Sequence, residues 1–300
     1  MKPAPFEYFA PESLAEALDL LRQRAGDARV LAGGQSLVPL LSFRLVKPAA
    51  LVDINGLSQL SYIRRDDGRR DDGRRDVGYI AIGAGTRQRQ VLASDDVSEM
   101  CPLLSEAVSY IGHPAIRNRG TVGGSIAHAD PAAELPVVAA ALDAEMVVHS
   151  SRGERSLKPE EFFVTFLTTA MEPDEILAEV RFPFLGPRTG ASFQEVSRRH
   201  GDYALVAVAA TVTLDERGHY QSARVALGGV GGTPVRARAV EQAITGSEPT
   251  EAALAEAAQL VKGEIDPATD IHASAEYRGH VASVLVRRAL QSAAERARAQ

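Results

Sequence analysis

Two glycine pairs, each closely followed by a serine, constrain the fold more than any other feature of the sequence. They are Gly33-Gly34 with Ser36, and Gly123-Gly124 with Ser125. Glycine tolerates positive φ and close contacts, so such turns let several backbone N–H groups converge on the oxygens of a diphosphate. A hydroxyl and a following helix N-terminus favour the same anion. One pair alone is usually only a turn, but two such pairs with hydroxyl neighbours in one domain favour a diphosphate site.

The charge balance argues against a polyanionic partner. The 300 residues include 33 Lys and Arg against 39 Asp and Glu, a formal net charge of -6. No broad basic field is therefore available to bind nucleic acid. No apolar run approaches the roughly 20 residues that cross a bilayer, and the first residues lack the grading of a secretory signal. We expect a cytoplasmic protein with no membrane-spanning segment.

Cysteine content limits the redox chemistry of the chain. Cys101 is the single cysteine, which excludes an internal disulfide, a C-x-x-C zinc site and an iron–sulfur cluster held by this chain's own thiolates. His113 and His128 have no companion at metal-ligand spacing, so we interpret both as structural and predict no metal site. If the chain handles electrons, an organic cofactor must carry them.

The order of apolar patterns and turn formers predicts two parts. Up to residue 185, helices and strands alternate, and the first glycine pair lies between a strand and a helix. Turn formers at residues 185–190 then precede a run of strands and three helices, which is typical of a separate α+β unit. Thr86 is interpreted as a helix cap. The charged five-residue repeat at 64–76 is interpreted as a solvated hairpin tip.

The common nucleotide-binding fingerprints are absent from the sequence. It contains no G-x-x-x-x-G-K-[ST] motif. Neither Gly83-Ala84-Gly85 nor Gly229-Val230-Gly231 continues into a G-x-G-x-x-G motif that opens a helix. We therefore expect neither a P-loop nor a Rossmann domain around the predicted diphosphate.

Four longer segments resemble one protein family. They are residues 32–39 (AGGQSLVP), 111–125 (IGHPAIRNRGTVGGS), 128–136 (HADPAAELP) and 198–204 (RRHGDYA). In this order they are similar to the FAD-binding medium subunit of molybdenum hydroxylases. The bacterial carbon monoxide dehydrogenase medium subunit is the nearest type, and the xanthine dehydrogenase FAD-binding subunit is also similar. The resemblance extends over nearly the whole chain.

The resemblance implies an α+β fold in two domains. Residues 1–185 would form a PCMH-type FAD-binding domain of two α/β subdomains, about 1–55 and 56–185, with an extended FAD between them. Residues 190–300 would form an α+β C-terminal domain of the carbon monoxide dehydrogenase flavoprotein type, which closes over the flavin.

The resemblance also implies which residues bind the cofactor. The two glycine segments would clasp the diphosphate of FAD, and Tyr203 would place its ring near the isoalloxazine. Gln194 aligns with a flavin-contacting lysine of the xanthine enzymes, and Ser125 replaces a common asparagine. The full set of cofactor-binding candidates is Ala32, Gly33, Gly34, Gln35, Ser36, Leu37, Ile111, Gly112, Gly120, Thr121, Gly123, Gly124, Ser125, Glu134, Leu177, Gln194 and Tyr203.

The implied function is electron transfer within a complex. A large molybdopterin subunit would oxidise the substrate and a small [2Fe-2S] subunit would carry the electrons. This oxidoreductase subunit would pass them through FAD to an external acceptor, in a dimer of heterotrimers. No residue of this chain is expected to be catalytic as an acid or a base. Two alternatives stay open: a stand-alone FAD oxidoreductase, and a cofactor-less assembly module of the same fold.

Overall fold

The chain has an α+β architecture, and a computed structural model describes residues 2–24, 26–68 and 77–299. The helices are α1 (Leu14–Arg24), α2 (Leu37–Ser42), α3 (Gln88–Leu92), α4 (Asp95–Met100), α5 (Pro102–Tyr110), α6 (Pro114–Arg117), α7 (Val122–His128), α8 (Glu134–Leu142), α9 (Pro159–Phe162), α10 (Arg238–Ile244), α11 (Glu251–Gln259) and α12 (Ala275–Arg298). Short 3-10 turns lie at Ser58–Leu60 and Leu260–Gly263. The strands are β1 (Glu7–Phe9), β2 (Ala28–Leu31), β3 (Ala50–Asp53), β4 (Ile63–Asp66), β5 (Tyr79–Gly83), β6 (Glu145–Ser150), β7 (Gly153–Leu157), β8 (Phe163–Thr165), β9 (Thr168–Thr169), β10 (Ile176–Pro183), β11 (Thr189–Ser197), β12 (Ala204–Leu214), β13 (Tyr220–Gly228) and β14 (Val235–Arg236).

The amino-terminal sheet is parallel, in the order β1-β3-β2. Helix α1 covers it, because Ala17, Leu18 and Leu21 fall on one helical face and are buried. Strand β2 runs directly into residues 32–36 and then into α2. The first glycine pair therefore lies at the carboxyl end of a parallel strand, which is where ligands bind in open α/β sheets.

The second sheet is antiparallel, in the order β4-β5-β10-β6-β7. Its buried face includes Ile80, Ile82 and Phe182, which share one hydrophobic core with α5, α7 and α8. Every residue of α8 is buried, which explains why its sequence is apolar all round. Strands β4 and β5 pair antiparallel, so residues 64–66 of the charged repeat belong to the sheet, which corrects their assignment to a solvated hairpin tip: their backbone groups pair with β5. Residues 69–76 of the repeat lie outside the described residues.

The third sheet is antiparallel, in the order β11-β12-β13-β14, and has helices on both faces. Val206 and Val208 share a core with α12, whereas Ala207 and Ala209 share a core with α8. A Cβ on Gly190 would lie 1.9 Å from the Ala293 carbonyl oxygen, so glycine allows α12 to pack directly on β11. Within the described residues no helix, including the 24-residue α12, is long and apolar enough to cross a membrane.

The prediction that Thr86 caps a helix is wrong. Helix α3 begins at Gln88, and Arg87 occupies its N-cap position. The Thr86 hydroxyl instead donates to the Tyr62 carbonyl oxygen at 2.9 Å and accepts from the Tyr62 N–H at 3.0 Å. Thr86 is fully buried, and these bonds satisfy its hydroxyl and the Tyr62 backbone together, as burial requires.

Candidate functional site

A cavity of about 690 Å³ lies between the first sheet, helices α7 and α8, and the start of β12. This volume is within the range of small-molecule and cofactor sites. The cavity brings together all the sequence-predicted site residues except Gln194: Ala32, Gly33, Gly34, Gln35, Ser36, Leu37, Ile111, Gly112, Gly120, Thr121, Gly123, Gly124, Ser125, Glu134, Leu177 and Tyr203. Segments that are far apart in the sequence therefore line a single cavity.

The first glycine pair forms an open turn before α2. Gly34 has φ of +74°, which a residue with a Cβ rarely adopts. The N–H groups of Gly34, Gln35 and Ser36 donate to no acceptor among the described residues. Ser36 occupies the N-cap position of α2, but its side chain makes no capping bond. These donors are left for a ligand, as a diphosphate requires.

The second glycine pair has a different structural role from the one expected. It lies in the first turn of α7, and neither glycine has a positive φ. The Gly123 N–H donates to the Ala84 carbonyl oxygen at 2.9 Å, and the Gly124 N–H donates to Thr121 Oγ1 at 3.0 Å. Both donors are thus used within the protein. A Cβ on Gly123 would lie only 2.2 Å from the Ala84 Cβ, so this pair serves close packing.

The two glycine segments are in direct contact. A Cβ on Gly33 would lie 2.5 Å from the carbonyl oxygen of Arg119, next to the second segment. Asn55 donates to the Ala32 carbonyl oxygen at 2.7 Å and accepts from Arg87 at 2.6 Å, while Arg87 also donates to the Arg119 carbonyl oxygen. Asn55 and Arg87 therefore fasten the segments together.

Sequence reasoning missed this Asn55–Arg87 brace. Asn55 follows β3 closely, and Arg87 lies a few residues after β5. A polar residue shortly after a strand was the available signal, because such positions often line the ligand edge of a sheet. Nothing in the sequence, however, shows which carbonyl groups the two side chains reach. Other cavity residues that the sequence did not indicate include Ala84, Gln88 and Asp130.

The loop before β12 borders the cavity. A Cβ on Gly201 would lie 2.8 Å from His113 Cε1 and 3.0 Å from the Gly112 carbonyl oxygen. Gly112 and Gly201 both have positive φ, at +46° and +86°. These two glycines let the third sheet approach the helical part closely. Tyr203 follows in this loop, 67% exposed, at the rim of the cavity.

A buried carboxyl group lies on the cavity wall. Glu134, the first residue of α8, is 8% exposed. Burial raises the pKa of Glu134 to about 7, a hydrogen bond from its own backbone N–H opposes this shift, and the Asp130 carboxylate adds to it. Glu134 is therefore close to half-protonated at neutral pH, which the sequence alone does not reveal.

Gln194 is the sequence-predicted site residue that does not line the cavity. Gln194 pairs with Val208 in the β11–β12 register and donates to Ser192 Oγ at 3.2 Å. Val208 belongs to the α12 core, on the face turned away from α8. The next residue, Glu195, is on the α8 face with Phe193. Side chains alternate along a strand, so a shift of one residue changes the face.

A cavity that joins an open glycine turn to a rim tyrosine is that of a dinucleotide-binding protein. Comparison of the sequence with protein families identifies the family to which this chain belongs. Residues 4–185 match the family described as the FAD binding domain in molybdopterin dehydrogenase, and residues 191–293 match the CO dehydrogenase flavoprotein C-terminal domain. The chain belongs to this family of FAD-binding molybdopterin dehydrogenase subunits, and it is an oxidoreductase component with FAD as cofactor.

Individual relatives are similar over almost their full length. The 6-hydroxypseudooxynicotine dehydrogenase complex subunit alpha of Paenarthrobacter nicotinovorans is 44% identical over 99% of this chain and 97% of its own. The caffeine dehydrogenase subunit beta of a Pseudomonas strain, CBB1, is 39% identical over 99% and 97%. The solved carbon monoxide dehydrogenase from Hydrogenophaga pseudoflava superposes with a TM-score of 0.92 and 36% identity, over 99% of both chains.

Proposed function

We propose that this chain transfers electrons within a molybdenum hydroxylase complex in the cytoplasm. A large molybdopterin subunit oxidises the substrate, a small [2Fe-2S] subunit carries the electrons, and this chain passes them through FAD to an external acceptor. The observation that carries the proposal is the cavity lined by both glycine pairs and Tyr203. Relatives named as subunits of dehydrogenase complexes and as medium chains support the assembly, which we propose is a dimer of heterotrimers.

The cavity residues fit the parts of FAD. The free N–H groups of Gly34, Gln35 and Ser36 would hold the diphosphate. Tyr203 and Glu134 also line the cavity, and the Tyr203 hydroxyl lies beside the Ser36 hydroxyl; both would contact the isoalloxazine ring. Bound FAD supplies a ring that accepts and releases electrons, while the protein supplies position and electrostatics. We propose residues 1–185 as the domain that binds FAD and residues 190–300 as the domain that closes over it.

The single thiol of the chain is unsuited to binding an iron–sulfur cluster. Cys101 is fully buried, and burial raises the pKa of its thiol to about 12. A metal or cluster ligand has to be the thiolate, so this side chain stays protonated and inert. We therefore assign the clusters that supply electrons to a partner subunit.

The cofactor site is tested by adding one methyl group between the two glycine segments. Gly33→Ala would place a Cβ 2.5 Å from the Arg119 carbonyl oxygen and push the segments apart. We expect FAD affinity, measured by titration of the apoprotein, to fall at least tenfold. Gly56→Ala is the matched control, since nothing lies within 4 Å of its added Cβ. Equal FAD affinity in both variants would overturn the assignment of the cavity.

The electron route is tested in the assembled complex. After rapid mixing with a substrate of the complex, we expect the [2Fe-2S] signal in electron paramagnetic resonance to appear and then bleaching of flavin absorbance. In complex depleted of FAD, the clusters should remain reduced and the external acceptor should not be consumed. Turnover by the isolated chain would favour a stand-alone oxidoreductase. A colourless chain that still assembles would favour the cofactor-less module.

A further inference from the structure

A second carboxyl group lies behind Glu134. Glu195 is on β11, opposite Ala207 and on the same face as Phe193, so it is directed towards α5 and α8. One of its oxygens, Oε2, is buried and has no hydrogen-bond partner in the described part of the chain. Burial and then the charge of Glu134 raise the pKa of Glu195 to about 8. An unpaired carboxylate in such a place is costly, which favours the protonated form.

Glu134 also lacks a compensating partner. Over residues 2–24, 26–68 and 77–299, its carboxyl group has no recorded hydrogen bond to another residue's side chain, and its own backbone N–H is the donor it uses. It lines the cavity while remaining more than nine-tenths buried. Glu134 therefore borders the cavity, and Glu195, a partly buried residue of β11, is the neighbour whose pKa responds to the charge of Glu134.

Within the described residues, no cation contributes to the pKa of either Glu134 or Glu195. On the α5 side, Tyr110 packs its ring 5.2 Å from Phe193, and Glu106 accepts from Arg296 at 2.7 and 3.1 Å. Arg296 of α12 is thus already paired with Glu106. On the cavity side the ionisable residues are Arg29, His128, Asp130, Glu172, Glu175, Asp202 and Tyr203, of which Glu175 is paired with Arg155.

We propose that Glu134 and Glu195 form a proton-holding pair that supplies a proton to the cavity when the cofactor is reduced. This inference rests on the proposed function. Two-electron reduction of a flavin takes up two protons. The electrons come from the partner's clusters, and one proton comes from Glu134 as its O–H bond breaks and its carboxylate forms. Glu195 then reprotonates Glu134, and water supplies the second proton and restores Glu195. Reoxidation by the acceptor releases both protons.

The first test is the pH dependence of the rate at which bound FAD is reduced, followed by flavin absorbance after rapid mixing of the holoprotein with dithionite. In the wild type we expect this rate to fall between about pH 7 and 8, where the pair loses its protons. Glu195→Gln and Glu134→Gln should each remove part of this change. Glu256→Gln, at an exposed position of α11, is the matched control. Profiles identical to that of the control in both variants would overturn the inference.

A second readout needs no cofactor. Because folding raises both pKa values above the ordinary 4.5, the folded chain binds more protons than the unfolded chain between about pH 4.5 and 8. Stability should therefore fall as pH rises through that window. In urea unfolding, Glu195→Gln should flatten this dependence, whereas Glu256→Gln should not. An unchanged dependence in Glu195→Gln would contradict the buried pair.

These outcomes separate the inference from the proposed function. If the wild type binds no FAD, the proposed function fails. If it binds FAD and both Glu195→Gln and Glu134→Gln give the same profile as Glu256→Gln, the inference fails and the proposed function is unaffected.

Discussion

The two glycine pairs look alike in the sequence, but they solve different physical problems in the fold. Gly33-Gly34 forms an open turn at the end of a parallel strand, with a positive φ at Gly34 and N–H donors free for a ligand. Gly123-Gly124 begins a helix and donates both N–H groups internally. The diphosphate site that we propose is therefore asymmetric: one pair would supply donors, and the other brings a helix close to them.

The largest effect should come from filling the packed glycine. Gly123→Ala would force a Cβ to within 2.2 Å of the Ala84 Cβ and 2.8 Å of the Ala84 carbonyl oxygen. The Ala84 backbone cannot rotate away from the added Cβ. We therefore expect a loss of about 3 kcal/mol in the free energy of unfolding, measured by urea denaturation of the apoprotein. Gly279→Ala is the control within helix α12, where nothing lies within 4 Å.

The free energy of unfolding of Gly279→Ala should rise by up to about 1 kcal/mol, because alanine is more favourable than glycine in a helix interior. If Gly123→Ala were instead as stable as Gly279→Ala, the packing role of the second pair would be wrong, and its function would have to be sought in ligand contacts.

At the open turn we expect a smaller loss of stability than at Gly123, together with a loss of FAD affinity. Gly34→Ala imposes a left-handed backbone on a residue with a Cβ, which costs about 1–2 kcal/mol. Gly246→Ala is a matched control, because Gly246 has φ of +82° and open space around its Cβ. Both variants should lose similar stability in urea. FAD affinity should fall about tenfold only in Gly34→Ala, and an equal fall in both would contradict the ligand role of this turn.

The contrast between the two glycine pairs also explains which features of the site could be predicted from the sequence. The positions of both glycine segments, the strand before the first one and the cavity candidates around them were recognisable, because glycine, hydroxyl and turn residues have strong local preferences. The direction of each N–H group was not, since it depends on contacts such as Gly123 with Ala84 that lie far apart in sequence. The long helix α12 was predictable from its spacing of Val281, Leu285 and Ala289.

Gln194 and Glu195 show that the sequence also leaves open which face of a strand meets the cavity. An alternating pattern predicts a strand over this region, but which face meets the cavity depends on its register with β12 and on the helix behind it. The resemblance pointed to Gln194, one residue from the side chain that packs towards α8. Burial of Glu195 is a tertiary property, and so is its raised pKa. Neither the burial of Glu195 nor its raised pKa can be predicted from the local sequence.

The smallest expected effects distinguish the hydroxyl groups beside the two pairs. Thr121 Oγ1 accepts from the Gly124 N–H at 3.0 Å and caps α7, so Thr121→Ala should cost about 1 kcal/mol in urea unfolding. Ser36 makes no such capping bond, so Ser36→Ala should change apoprotein stability by less than about 0.5 kcal/mol. Isothermal titration with FAD should give the reverse order, because the Ser36 hydroxyl lines the cavity beside Tyr203 and the Thr121 hydroxyl is used in capping α7. A loss of stability in Ser36→Ala equal to that in Thr121→Ala would mean that both pairs are structural, and the asymmetric diphosphate site would be untenable.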